Sequence, residues 1–299
     1  MPEGDTIFRT ARTLGRALTG KTITRFESSY AQLALANDNN PFAGQTITQA
    51  ESRGKWLLIH FSSGAILATH MLMSGSWHIY RPGEPWQDRP SNARIVIETA
   101  EYVAVGFRVP VARMHTAQSL LRDRKIPNTD RDVLGTTFDA KAALQRLQDH
   151  PDEELANVLL NQGVMAGIGN VFKSEICFVL KLSPFCKVGR LSPKQAQEII
   201  ATAQRLLAAN VLEDSSDRIV TREGGHRRTT QNADPDAGLW VYRRKGKPCR
   251  NCGALIQRIV QGPDARSTYW CPTCQPLPEL NPAVESEEVL PKRKSGKSK

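Results

Sequence analysis

The sequence predicts an α+β multidomain protein, and three observations predict it. The hydrophobic period is helical at the very start, gives way to short β-rich runs, and returns to a helical texture after roughly Arg131. Four of the six cysteines then fall in two Cys-X-X-Cys pairs, Cys249/Cys252 and Cys271/Cys274, with 18 residues between the pairs. These changes divide the chain into an N-terminal helix plus β-sandwich domain at 1–125, a helical domain at 131–237 that ends in a polar loop at 213–237, a zinc-finger β-hairpin at 238–276, and a disordered tail at 277–299.

From Asp5 to Leu18 the apolar residues Ile7, Phe8, Ala11, Leu14 and Leu18 recur at helical spacing, and Gly20 stands where a helix stops. The runs "KTITRFES", "GQTITQAES", "KWLLIHFSS", "GAILATHM", "GSWHIY" and "ARIVIETA" read as strands of a sandwich or flattened barrel packed on that helix. Four helices follow: Asp139 caps "AKAALQRLQ", Pro151 opens "DEELANVLLNQ", Asn170 begins "VFKSEICFVLKL", and Ser192 with Gln195 forms a capping box for "KQAQEIIATAQRLLAAN". The stretch from Asp217 to Ala237, with Arg222, His226, Arg227 and Arg228, is a loop long enough to suspect function.

The chain carries 40 Lys+Arg against 30 Asp+Glu, a net charge of +10, which favours polyanionic partners. The tail from Glu279 onward is nearly balanced, so the excess belongs to the folded part. The first residues are charged rather than apolar, and no later run is long enough to span a bilayer, which points to an intracellular, cytoplasmic protein without membrane contact.

The spacing of the two cysteine pairs suits a four-cysteine zinc site, and disulfides are disfavoured in a chain without an export signal. "ALIQRIVQG" and "STYWCP" read as two strands joined by the turn Gly262-Pro263-Asp264-Ala265, a hairpin too small to fold without the metal. From Gly238 to Pro276 there are seven Lys/Arg against one Asp, a density that matches a phosphate backbone. Cys177 and Cys186 stand outside this pattern, as core or incidental residues. In "NQGVMAGIGNVFKSEI", Gly163, Gly167 and Gly169 join two helices. Glycines there permit close backbone approach to a ligand, and the N-terminus of the second helix attracts an anion; tight helix packing is the competing explanation.

Four separated segments, "PEGDTIFR", "ESRGKWLLIHF", "NQGVMAGIGNVFKSEI" and "STYWCPTCQ", resemble the formamidopyrimidine-DNA glycosylase/endonuclease VIII family, and the opening is closer to the endonuclease VIII branch. The resemblance implies a helix-two-turns-helix in the helical domain, one structural Zn2+ on Cys249, Cys252, Cys271 and Cys274, and a monomer acting near the nucleoid on double-stranded DNA with an oxidised base or abasic site. It implies bifunctional base-excision repair, with Pro2 as nucleophile once Met1 is removed, Glu3 as general acid and Lys55 contacting phosphate near the reaction centre. Asn170, with Gly167 and Gly169, matches the phosphate-binding turn, and Arg266 the arginine on the zinc hairpin, where a guanidinium can bridge phosphates and act as a strut that props the DNA backbone kinked around the flipped nucleotide. Leu72 and Met73 align with the loop that fills the void left by the flipped base, but Leu72-Met73-Ser74 departs from the Gln-Leu-Tyr triplet typical of endonuclease VIII, which bears on lesion and opposite-base choice. Oxidised pyrimidines are the expected substrates, oxidised purines the alternative, and a catalytically silent DNA-binding protein on the same scaffold the reading from another class.

The chemistry explains a proline at position 2. Its secondary amine has a pKa near the α-amino range of about 8, so a usable fraction is unprotonated at neutral pH. Because the nitrogen is secondary, the iminium cation that forms with C1′ has no nitrogen proton to shed, so it stays charged and acidifies C2′–H.

Overall fold

An apolar stripe with one polar face drives the first element, helix α1 (Gly4–Leu18), which buries Ile7, Ala11, Leu14 and Leu18. Thr19 closes its last turn, and Gly20 follows with a left-handed φ of 79°, the conformation a helix end favours. The computed structural model describes residues 2–211, 229–230 and 238–276. Expectations placed on Met1, on Arg222, His226, Arg227 and Arg228 in the 213–237 loop, and on the 277–299 tail lie outside the described residues.

Eight strands follow α1: β1 (Ile23–Ser28), β2 (Ile47–Arg53), β3 (Trp56–Phe61), β4 (Ile66–His70), β5 (Ser76–Tyr80), β6 (Ala93–Thr99), β7 (Val103–Phe107) and β8 (Val111–His115). They form two antiparallel four-stranded sheets, β1-β6-β7-β5 and β2-β3-β4-β8. Alternation divides β3 between two cores: Leu57, Ile59 and Phe61 join the sandwich interior with α1, whereas Trp56 and Leu58 point to the outer face. That outer face is covered by Leu120 of a short helix, α3 (Ala117–Arg122), and by Ile126.

Helix α2 (Ala31–Asn39), strands β7 and β8, and α3 are absent from the sequence reading. Helix α2 buries only Leu33, so it carries no apolar stripe. Strand β7 is interrupted by Gly106, and β8 directly follows Pro110; both residues signal turns in isolation.

The helical part contains α4 (Ala140–Gln148), α5 (Leu155–Leu160), α6 (Asn170–Val179) and α7 (Pro193–Ala209), which share one core around Leu147, Val158, Phe172, Ile176, Ile199 and Leu206. Asp139 caps α4 by accepting the Ala142 N–H at 2.9 Å. Ser192 and Gln195 form the expected reciprocal box on α7, at 3.2 and 2.9 Å. Pro151 does not open α5: the chain turns first and Glu154 occupies the N-cap. The cause is tertiary, because the Leu155 and Ala156 N–H groups bond the Cys186 and Pro184 carbonyls and so hold the segment against the loop after α6.

Strands β9 (Gln257–Gln261) and β10 (Arg266–Trp270) form the expected hairpin around Gly262–Ala265, where Gly262 and Ala265 have φ of 73° and 50°. A small core of Val241, Cys249, Ile256 and Cys271 seats this module on Phe178 of α6. No helix among the described residues is long and apolar enough to cross a membrane.

Candidate active site

Glu3 occupies the N-cap of α1 in extended conformation, yet its side chain does not cap that helix. It is fully buried, and it crosses to the start of α6. There its carboxylate accepts the Gly169 N–H at 3.0 Å, the Val171 N–H at 2.9 Å and the Phe172 N–H at 3.3 Å. A helix start presents N–H groups without internal partners and a positive dipole end, so a carboxylate fits there. Three N–H groups at this glycine-flanked helix end are thus met by a carboxylate from within the chain.

The glycines make that contact possible. A Cβ on Gly169 would lie 2.4 Å from Glu3 Cδ, and one on Gly4 would lie 2.8 Å from the Gly167 Cα. Gly4 N–H donates to the Gly167 carbonyl at 2.8 Å, while Gly167 adopts a φ of 107° open only to glycine. Gly167 and Gly169 therefore tie the N-terminal segment to the helical core and place half-exposed Pro2 at the junction.

The Gly54-Lys55 turn reaches the same junction by another route. Arg53 pairs with Trp56, leaving Gly54-Lys55 as a two-residue hairpin turn whose first residue has a φ of 58°, a geometry that suits tightly twisted strands. Gly54 packs on Ala166 and Gly167: a Cβ there would come within 2.8 Å of the Ala166 Cβ. The buried Asp132 carboxyl accepts the Gly54 N–H and, at 3.2 Å, the Leu134 N–H. Burial pushes Asp132 up to about 6 despite those two bonds.

His70 was not among the residues singled out from sequence. It ends β4 opposite Trp56, with its ring edge-on to that indole at 5.1 Å. Burial, and then the Lys55 charge, push its pKa down to about 4, so the ring is neutral at physiological pH. Its Nδ1 accepts the Leu72 N–H at 3.1 Å, which leaves the proton on Nε2. This bond supports the left-handed φ of 46° at Leu72, where the chain turns Leu72 and Met73 outward, 45% and 72% exposed. Arg108, also left-handed at 47° and also overlooked, flanks the loop, its carbonyl accepting the Ser74 hydroxyl at 3.4 Å. Glycine or asparagine usually marks such positions, so neither residue carries a sequence signal.

Asn170 is the first residue of α6, and its Oδ1 is buried without a hydrogen-bond partner in the structure. Arg266 opens β10; its guanidinium is 45% exposed and only 3.8 Å from the Asp264 carboxylate, a weak surface pair. A further buried cation, Lys173, lies on α6 behind Glu3 and hydrogen-bonds Thr268 of β10 at 2.9 Å.

The sulfurs of Cys249, Cys252, Cys271 and Cys274 all lie within 4.8 Å of one another. Cys249 and Cys274 are 3.9 Å apart and Cys252 and Cys271 3.4 Å, near the roughly 3.8 Å edge that a tetrahedron of Zn–S bonds requires. The Asn251 and Cys274 N–H groups point at Cys249 and Cys271 sulfurs at 3.4 Å, and the Asn251 amide at Cys274 at 3.2 Å, as thiolate ligands need. Cys177, by contrast, is buried in the helical core, which pushes its thiol up to about 12.

The family profile of the formamidopyrimidine-DNA glycosylase N-terminal domain matches residues 1–110, that of its H2TH domain residues 130–221, and that of the zinc finger found in FPG and IleRS residues 246–277. The chain is 37% identical over 297 residues to a probable endonuclease 8 2 of Streptomyces coelicolor, covering 98% of this chain and 100% of the relative. It is 36% identical to the DNA-(apurinic or apyrimidinic site) lyase Nei2 of Mycolicibacterium smegmatis, over 92% of this chain and 99% of the relative. Endonuclease 8 of Escherichia coli is 29% identical over 92% of this chain and 100% of its own length. In fold, the chain superposes on the Lactococcus lactis Fpg in complex with DNA containing an abasic site, with a TM-score of 0.75 at 22% identity, over 91% of this chain and 99% of that one. The four clustered cysteines are accordingly a zinc-finger site for one structural zinc. With its three parts matched in order and near-complete relatives above 30% identity, this chain belongs to the formamidopyrimidine-DNA glycosylase/endonuclease VIII family.

Proposed function

We propose that the protein is a monomeric DNA glycosylase and abasic-site lyase that excises oxidised pyrimidines from double-stranded DNA and cleaves the strand by β,δ-elimination through Pro2. The observation that supports this best is the Glu3 carboxylate, fixed by three backbone donors immediately beside Pro2 at the junction reached by the Lys55 turn and the start of α6. Positioning a proton donor and a nucleophile on rigid elements is what the reaction requires.

In the proposed sequence the Pro2 nitrogen attacks C1′ of a nucleotide extruded from the duplex, and the glycosidic electron pair leaves with the base. The Glu3 carboxylate takes the proton that the Pro2 nitrogen carries after attack and delivers it to the sugar ring oxygen; the C1′–O4′ bond breaks, the ring opens, and the freed nitrogen lone pair closes an iminium between Pro2 and C1′. Loss of a C2′ proton expels the 3′ phosphate, a second elimination expels the 5′ phosphate, and hydrolysis frees Pro2. In this reading Lys55 and the Asn170 amide N–H2 contact phosphate beside the reacting sugar; the Asn170 Oδ1 is buried without a partner. Zinc takes no part in the chemistry; it folds the hairpin that carries Arg266.

Borohydride reduction of the protein with abasic-site DNA is expected to trap a covalent adduct only when Met1 has been removed, because an acylated proline nitrogen has no lone pair to offer. Efficient trapping by a protein with a blocked N-terminus overturns the assignment. Oxidised-purine specificity is the second reading, favoured by Leu72-Met73-Ser74 in the exposed loop where endonuclease VIII proteins typically carry Gln-Leu-Tyr. Excision rates on a panel of duplexes, each with one oxidised pyrimidine or purine, decide between the two.

A further inference from the structure

Lys173 is fully buried, and the chemistry above does not use it. Its Nζ donates to the Thr268 hydroxyl at 2.9 Å, and that hydroxyl donates to Gln261 Oε1 at 2.6 Å. Gln261 Nε2 in turn donates to the Glu154 carboxylate at 2.7 Å and to the Pro184 carbonyl at 3.3 Å. The donors all run one way, from a buried ammonium on α6, across both strands of the zinc hairpin, to a carboxylate at the start of α5. A buried ammonium without such acceptors is strongly unfavourable, so Thr268 has little freedom to move relative to α6.

The first two members of this chain adjoin functional candidates. Thr268 and Arg266 alternate onto the same face of β10, so fixing the one fixes the root of the other. Lys173 directly follows Phe172, whose N–H holds Glu3. Burial lowers the Lys173 pKa to about 8, with Cys177 and, more weakly, Glu3 opposing the shift and Arg266 adding to it. Two further contacts set the hairpin on the helices: the Tyr269 N–H donates to Ser174 Oγ at 3.3 Å, and at Gly262 a Cβ would lie 2.3 Å from Asn157 Oδ1.

We infer that Lys173 is a positioning residue: through the Thr268 hydroxyl it sets the zinc hairpin, and with it the Arg266 guanidinium, at a fixed distance from the Glu3-capped end of α6. The inference rests on the reading of Arg266 as a strut for DNA kinked around a flipped nucleotide. A strut acts only where its root does not yield, so loosening this link impairs drawing a base from the stack and spares cleavage of a site where no base remains.

Full-length Thr268→Val, Thr268→Ser, Arg266→Ala and the double variant Lys173→Met/Thr268→Val test this through single-turnover excision of a lesion, borohydride trapping on a preformed abasic site, zinc content and thermal stability. Valine keeps the threonine shape without the hydroxyl, and serine keeps the hydroxyl. We expect Thr268→Val to slow excision about tenfold or more, with trapping within about threefold of wild type and zinc retained, while Thr268→Ser stays within about threefold on both. The double variant, which buries neither an unpaired ammonium nor a lone hydroxyl, is expected to regain thermal stability without regaining excision; if Thr268→Val does not fold, this variant carries the test. Excision by Thr268→Val within about twofold of wild type, equal loss in the serine variant, or parallel loss of excision and trapping overturns the positioning role. If Arg266→Ala excises at the wild-type rate, the strut reading itself falls, whatever Thr268→Val does.

Discussion

The Glu3 carboxylate is both a proposed acid and the cap of a helix from another part of the chain, so its substitution has two separable effects. Glu3→Gln keeps the shape but turns an acceptor into a donor facing N–H groups at α6. We expect about 1–3 kcal/mol of lost stability, measured by denaturant unfolding, together with loss of base excision. Gly169→Ala, whose Cβ would meet Glu3 Cδ at 2.4 Å, is expected to displace the carboxylate and slow excision while Glu3 itself remains. At His70 the expectation concerns pH. Its pKa lies at about 4 in the fold against an ordinary 6.5, so between those values the unfolded chain binds a proton that the fold refuses, and stability falls as pH drops through that window. Asp132 acts in the opposite sense, since its raised value of about 6 makes the folded state the better proton binder in acid. Comparison with His70→Asn isolates the histidine, because the asparagine oxygen replaces Nδ1 as acceptor for the Leu72 N–H without titrating. The melting temperature of wild type is expected to drop more than that of His70→Asn between pH 6.5 and 4; parallel curves would exclude a neutral, buried imidazole.

Among the elements, the zinc hairpin combines strong local specification with strong dependence on its neighbours. Two cysteine pairs and a Gly-Pro-Asp-Ala turn fix the hairpin, and the sulfur spacing fits a single zinc. Cys252→Ser is expected to lose the metal, read by elemental analysis, and to release the hairpin while the helical core stays folded, because that core closes around α4–α7 without hairpin residues. Loss of the hairpin also strips Thr268 from Lys173, so amide exchange at the start of α6 is expected to rise in the same variant. The capping box on α7 and the Asp139 cap were legible because their signals span four residues. The start of α5 was not, since the Cys186 and Pro184 carbonyls that hold it lie some thirty residues away, a separation invisible to any local pattern.

Across the molecule, α1 acts as the bridge. One side packs into the sandwich, while Arg9 and Arg12 donate to the carbonyls of Asn210 and Val211 after α7, at 3.3 and 3.0 Å. Helix C-terminal carbonyls attract cations, so these contacts help to hold the two halves in register around Pro2. The net charge of +10 belongs to the scale of the whole particle and governs encounter rather than chemistry. We expect affinity for undamaged duplex to fall by about two orders of magnitude or more between low and moderate salt, with the trapping rate at saturating protein much less affected. A flat salt response would dissociate the charge from DNA binding.

The sequence by itself determined the elements with local signatures: the amphipathic first helix, the two capped helices, the cysteine-stapled hairpin, and the presence of Pro2, Glu3 and Lys55 in contexts that resemble one family. Only tertiary structure decided what those residues touch. The glycines at 167 and 169 read as an anion cradle; in the fold three of the N–H groups there bond Glu3, because a helix dipole and unpaired N–H groups do not distinguish a ligand's charge from one brought by the chain itself. His70, Arg108 and Lys173 escaped notice for the same reason. A lone histidine, arginine or lysine has no pattern, and its significance arises only when folding removes it from water and places a particular partner within hydrogen-bond reach.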